Sequence, residues 1–409
     1  FWDYSFSINS SISENEATDQ LYEIFKQATS RQMVSDVPVG TYLSGGMDSG
    51  SVTAVAKTHL PHLTTFTCGF DLSSASGLEL GFDERANAEE LSNLFKTEHY
   101  EVVTHAGDME RVFPKLIWHL EDLRIGQCYP NFLVARLASK FVKVVLSGGG
   151  GDELFAGYPW RYYSAQSNAS VDDYFKDYYL YWQRLVNDED KKHLFTPAIL
   201  TKMKDVSTYD IFRNSFRDWN QSLHTPENRV QASLYFELKT FLHGLLVVED
   251  KVSMAHSLET RLPFLDNVLV DFALSLPITF KLKSLTLSNR IDENIVGKRH
   301  LFSNQNRDGK VILRNSMSRL IPSSFTGRAK QGFSAPDASW FRGESIDYIN
   351  RTLLNSNALL YEYLEKTFVK NIINEHASGH VNRRLLIWSL LSFENWLKVF
   401  IKGEVPDEA

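Results

Sequence analysis

Four short runs rich in β-branched and aromatic residues, at 39–43, 63–70, 97–103 and 141–148, are separated by stretches with helical periodicity. This alternation constrains the fold more than any other feature of the chain. A strand–helix–strand succession at this spacing predicts right-handed βαβ units and an α/β fold, a parallel twisted sheet with helices on both faces. The helical stretches fall at 13–33, 51–58, 83–95, 109–119 and 131–140. The first is the best signalled. Ser13 and Glu16 have capping-box spacing, and Leu21, Ile24, Phe25 and Ala28 recur at i, i+3, i+4 and i+7. From about Tyr158 the alternation gives way to long aromatic, amphipathic segments at 174–185, 232–248 and 382–400, which predict a mostly helical second half. The expected organisation is a linker remnant over 1–12, an α/β core over 13–160, a helical remainder over 161–400 and a flexible tail over 401–409. The polar, turn-rich stretch 289–310 is expected to form a mobile loop.

Open parallel sheets take their ligands beyond the carboxyl ends of the strands, near a switch in strand order. Two glycine-rich turns fall at such ends: SGGMDS (44–49) after the first strand and SGGGGDE (147–153) after the fourth. SGGMDS lacks the lysine of a Walker A loop. Gly45 and Gly46 nevertheless let the backbone approach an anion, Ser44 and Ser49 add hydroxyl donors, and the following helix offers free N–H groups and a positive dipole end. Asp48 would repel a phosphate on its own. Its presence points to a divalent cation between the two, because magnesium takes one or two carboxylates together with phosphate oxygens. A structural turn with a Ser/Asp cap is the bland alternative, and it weakens once the second turn repeats the pattern. Asp152 is expected to face Asp48 across the carboxyl edge of the sheet, forming a magnesium–pyrophosphate clamp.

Charge and cysteine content exclude several classes. The net charge of −7 argues against a dedicated nucleic-acid surface. Cys68 and Cys128 are the two cysteines and form no C-x-x-C pair, which argues against a disulfide framework or structural zinc and fits a reducing cytoplasm. No apolar run has the length of a membrane span.

Taken with their order, SDVPVGTYLSGGMDS (35–49), KVVLSGGGGDELFAGYPWRY (143–162), DKVSMAHSLETRLPFLD (250–266) and KQGFSAP (330–336) resemble the synthetase domain of glutamine-hydrolysing asparagine synthetases, within the N-type ATP pyrophosphatases. The resemblance implies an adenine nucleotide alpha hydrolase-like fold. It also implies a reaction: a carboxylate, most readily aspartate, attacks the α-phosphate of ATP, pyrophosphate leaves, and ammonia displaces AMP from the acyl-adenylate. By resemblance Ser44, Gly45, Gly46, Asp48 and Ser49 form the pyrophosphate loop. Asp48 and Asp152 are the magnesium ligands. Leu43, Gly69, Ser147 and Gly148 edge the nucleotide pocket, and Lys330 reaches the phosphates or the developing charge. ATP and Mg2+ are the implied cofactors. The implied partners are a small carboxylate, ammonia, a glutaminase domain or subunit, and a second copy of the chain. Related chemistry on a sugar acid, a peptide carboxylate or an intramolecular amine is the alternative, as is a non-catalytic nucleotide-binding homologue.

Two departures from the family pattern stand out. Gly149 occupies a position often held by glutamate or aspartate, an acid suited to handling ammonia and its proton; Glu153 is the candidate to replace it, with water as the alternative. HLEDLRIGQCYPN replaces an acidic-proline element, so that Glu121, Asp122 and Arg124 become candidates for acceptor recognition, with a surface charge cluster as the alternative. DKVSMAHSLETRLPFLD is expected to continue a helix to about Thr260, closed by Pro263, with Arg261 either in an ion pair or at the substrate and His256 a core histidine.

Overall fold

The computed structural model describes residues 2–123, 126, 128–166, 170–285, 308–328 and 334–406. Five strands, β1 (Val39–Tyr42), β2 (Thr64–Phe70), β3 (Glu98–Thr104), β4 (Val144–Leu146) and β5 (Glu259–Arg261), form one sheet in the order β3-β2-β1-β4-β5. Every pairing is parallel. The helices of the first part are α1 (Glu14–Gln32), α2 (Met47–His59), α3 (Arg85–Phe95), α4 (Ala106–Leu120), α5 (Tyr129–Ala138) and the short α6 (Gly151–Leu154).

Both faces of the sheet are covered, and β4 shows how. Val144 and Leu146 pack into a core with Phe25 of α1, Val52 and Val55 of α2 and Leu91 of α3. Val145 points the other way, into a core with Phe113 and Leu116 of α4 and Phe132 of α5. A strand buried on both faces reads as a continuous apolar run, which is why KVVL stands out in the sequence. α1 starts as its capping box predicts, with the Glu16 N–H donating to Ser13 Oγ (3.3 Å) and the Ser13 N–H donating to Glu16 Oε2 (3.0 Å). Its Phe25 is fully buried, 4.9 Å from the ring of Phe264.

The second half is helical, with one correction. The helix over His243–Met254 ends six residues before Thr260, turns through Ser257 (φ +54°), and gives β5. Glu259, Thr260 and Arg261 pair with Val144, Val145 and Leu146 at the sheet edge. A three-residue strand with charge at both ends has no period-2 apolar signal, and such charges suit an edge that must not pair further. Arg261 bonds Glu259 (2.7 Å) and the carbonyls of Gln32 (2.7 Å) and Val34 (2.8 Å), so it anchors the end of α1. His256 packs edge-on against Phe132, and burial lowers its pKa to about 4. Upstream, the helices Pro226–Glu237 and His243–Met254 are joined without a break by a π-turn over Leu238–Leu242. Of the stretch expected to be a mobile loop, 289–307 lies outside the described residues. Its end, 308–310, is described, and Lys310 there is only 4% exposed. Among the described residues no helix is long and apolar enough to cross a membrane.

Truncating Phe25 to alanine removes the ring that joins α1 to the segment after β5. Phe25→Ala is expected to cost about 3–5 kcal/mol in urea unfolding, the range for an aromatic lost from a closed core. A loss below 1 kcal/mol overturns this account of the packing.

Candidate active site

β1 and β4 are neighbours that send their chains away in opposite directions, β1 toward β2 and β4 toward β5. The crevice at their carboxyl ends is the switch point of the sheet. Both glycine turns lie there.

The first turn is held shut by its own side chains. The Ser44 N–H donates to Ser49 Oγ (3.2 Å), the two hydroxyls lie 3.1 Å apart, and Thr67 Oγ1 donates to the Leu43 carbonyl (2.7 Å). Gly45 has φ +75°, and a Cβ there would lie 2.4 Å from Cβ of Asn87, so only glycine fits. α2 then begins at Met47 with Gly46 as its N-cap and no side chain on its first N–H groups. These donors are the ones an anion needs.

The second turn interlocks with the first. A Cβ on Gly148 would lie 2.7 Å from the Ser49 nitrogen, and one on Gly151 would lie 3.1 Å from the Asp48 carboxyl carbon. Bare backbone at these two positions is what brings Asp152, at the start of α6, beside Asp48. Ser147 extends the sheet's bonding by donating its N–H to the Arg261 carbonyl (2.8 Å). Gly69, near the end of β2, makes room for Arg85, whose Cδ would lie 2.2 Å from a Cβ there. Asp83 holds that guanidinium (2.6 Å).

Between the two carboxylates stands Lys310. Its Nζ is 2.5 Å from Asp48 Oδ2 and 2.7 Å from Asp152 Oδ1. The lysine side chain is 5% exposed and those of Asp48 and Asp152 are 16% and 8%, so all three charges sit at low dielectric and need one another. Two carboxylates and one ammonium leave a residual negative charge. Asp48 Oδ1 is buried with no hydrogen-bond donor among the described residues. That orphaned oxygen, beside free helix N–H groups, fits a divalent cation shared with phosphate oxygens. No group of three or more metal-ligating side chains occurs among the described residues, and magnesium needs no more than two.

Glu153 turns inward. It is 2% exposed and accepts from the Tyr158 hydroxyl (2.9 Å). Below it the Arg161 guanidinium lies between the rings of Tyr158 (3.7 Å) and Phe241 (4.3 Å) and reaches Glu237 (3.4 Å), which also accepts from Tyr178 (3.1 Å). Burial pushes the Glu237 carboxyl up to about 7, and the nearby Glu153 charge adds to this, while Arg161 opposes it. Glu121 pairs with Lys251 at the surface, and the Asp122 carboxylate accepts from the N–H of Leu123 (2.7 Å). Arg124 and Lys330 lie outside the described residues.

Lys310 was missed because it ends a polar, turn-rich stretch. One signal was present: GKVIL places a lysine just before an apolar helix, Val311–Met317, where the dipole disfavours a cation unless acids hold it. Burial with those acids is the reason the sequence tolerates it.

A family model described as asparagine synthase matches residues 20–398. The chain is 27% identical over 419 residues to asparagine synthetase [glutamine-hydrolysing] 1 of Bacillus subtilis, covering 96% of this chain and 60% of that protein. It is 24% identical over 376 residues to asparagine synthetase [glutamine-hydrolysing] 3 of the same organism, covering 87% and 54%. The chain thus spans less than two thirds of the length of these relatives. Among solved structures, NMN synthetase from Francisella tularensis is similar at 14% identity, over 60% of this chain and 94% of that one, with a TM-score of 0.22.

Lys310→Met leaves two carboxylates facing each other at low dielectric. Thermal unfolding at pH 8 is expected to show a loss of about 3–5 kcal/mol, the range for an uncompensated buried charge. The loss should shrink on adding millimolar MgCl2. A loss indifferent to magnesium overturns the electrostatic account. For Glu237 the sign follows from its raised pKa. The native state keeps the proton up to about pH 7, and the unfolded chain releases it near 4.5. Its stabilisation is therefore full below 4.5 and is lost as pH rises through 7. Glu237→Gln should flatten that decline, a difference of about 3 kcal/mol between pH 5 and 8 in denaturant titrations.

Proposed function

The chain belongs to the asparagine synthase family, and from that premise we propose that it activates a carboxylate with ATP and converts it to an amide. L-aspartate is the proposed acceptor, AMP and pyrophosphate the by-products, and ammonia the nitrogen source, taken from solution or delivered by a glutaminase domain or subunit. The observation that supports this reading best is the Asp48–Lys310–Asp152 cluster beside the open N–H groups of α2.

Each part answers a need of the reaction. The acceptor carboxylate attacks the α-phosphorus, and the bond to the pyrophosphate oxygen breaks. Charge accumulates on the leaving group. The N–H groups at the start of α2 are fixed donors for it, and fixed donors need no reorganisation as charge develops. Lys310 adds a positive charge held in place by two acids. Asp48 and Asp152 are the residues that would hold Mg2+. When bound, that ion neutralises phosphate charge and orients the triphosphate. Lys330, in KQGFSAP, is proposed to reach the phosphates or the developing charge as a second ammonium. Hydrogen bonds within the first turn and from Tyr158 to the buried Glu153 hold one side of the site in place.

The test is to incubate the chain with ATP, MgCl2, ammonium chloride and L-aspartate, measure AMP, and identify the amide by mass. Asp48→Asn should lower aspartate-dependent AMP formation more than 100-fold while leaving the circular dichroism spectrum unchanged. AMP formed at the unmodified rate by that variant overturns the role of Asp48. Lys330→Ala should lower kcat more than it weakens nucleotide binding. Equal losses would make it a binding residue alone.

A further inference from the structure

Acyl transfer to an amine needs a group that removes a proton from nitrogen as the new bond forms, and the carboxylates around the two turns differ in their freedom to do this. Asp48 and Asp152 are held by Lys310. Glu153 is 2% exposed and accepts from Tyr158. Glu249, on the helix His243–Met254, is different. It projects toward the second turn, where a Cβ on Gly149 would lie 3.4 Å from its Oε2. Leu262 Cδ2 covers Gly149, 2.7 Å from a Cβ there, and Glu249 is the carboxylate beside it. The Ser147 hydroxyl, which accepts from the Gly149 N–H (3.4 Å), is the polar group that favours its charged form. The Tyr42 hydroxyl, from β1, lies within reach of its charge. Glu249 is half-buried, and burial holds its carboxyl above the usual range, which makes the anion a better proton acceptor. A solvated helix face explains its exposed neighbour Asp250 and does not explain a carboxylate aimed into the glycine turn.

We propose that Glu249, reaching the second turn from a neighbouring helix, is the general base of the amide-forming step. The inference rests on the adenylation reading above. In the step, the nitrogen lone pair of ammonia forms a bond to the acyl carbon of the adenylate. The bond from that carbon to the AMP oxygen breaks, and AMP leaves with the electron pair. One N–H proton passes to Glu249 Oε2 and from there to water. The Ser147 hydroxyl, bonded to the turn, lies beside the base.

The two half-reactions separate this role from a structural one. Aspartate-dependent exchange of pyrophosphate into ATP reads adenylation. Asparagine formation from ammonium chloride reads the second step. Glu249→Gln is expected to lower amide formation at least 100-fold, with exchange reduced less than threefold. Placing the acid on the turn itself, Gly149→Glu together with Glu249→Ala, should return at least tenfold of the lost amide formation. Leu262 Cδ2, 2.7 Å from a Cβ at 149, is the side-chain end that must shift. Amide formation unchanged in Glu249→Gln, or exchange and amide formation falling together, overturns the assignment of Glu249 and leaves adenylation standing. No exchange in the unmodified chain overturns the adenylation reading and this inference with it. Amide formation that falls in Glu249→Gln but does not return in the double variant overturns the claim that the base acts at the second turn beside Gly149.

Discussion

An ammonium ion set between two acids is the interaction on which the rest of this site depends. Lys310 holds together Asp48 and Asp152, which come from turns about 100 residues apart in sequence. None of the three is stable alone at that depth, since desolvating one charge without a partner costs several kcal/mol. The arrangement also constrains the backbone. The turns must touch before the acids can share a cation, and they touch through Gly148 and Gly151, where a side chain would strike Ser49 or Asp48. The glycines of the second turn thus serve the carboxylates more than they serve flexibility.

Beneath the charge cluster lies a second polar layer. Glu153, Tyr158, Arg161, Tyr162, Tyr178 and Glu237 form a buried network of bonds and stacked rings under α6. A network of this kind fixes one packing arrangement when its members are satisfied. Here it stiffens the short helix that presents Asp152. The upward-shifted Glu237 is the cost of placing a carboxylate where apolar side chains surround it.

Much of the sheet was legible in the sequence. Four of its strands carry β-branched runs, and their alternation with helices leaves one topology class open. The pairing of Asp48 with Asp152 was legible too, because both follow glycines at strand ends. Other elements were not. β5 has three residues and two of them are charged, so periodicity has nothing to register. Lys310 follows a polar stretch, and burial that depends on partners some 158 and 262 positions away leaves no local mark. Glu249 reads as one more acid on a helix, and only the approach of that helix to Gly149 distinguishes it. Local signals report local energetics. Ion pairs closed by tertiary contact lie beyond them.

The π-turn over Leu238–Leu242 has a geometric effect on the two acids that flank it. Glu237 and Glu249 are separated by twelve steps, which on an uninterrupted α-helix would leave them about 120° apart around the axis. A π-turn absorbs one residue, about 100° of rotation, and brings them to within roughly 20°. One carboxylate can then meet Arg161 while the other, further along the same side, meets the glycine turn. The helix works as a phased ruler, and its residue count between those marks is as much a part of the site as the side chains it carries.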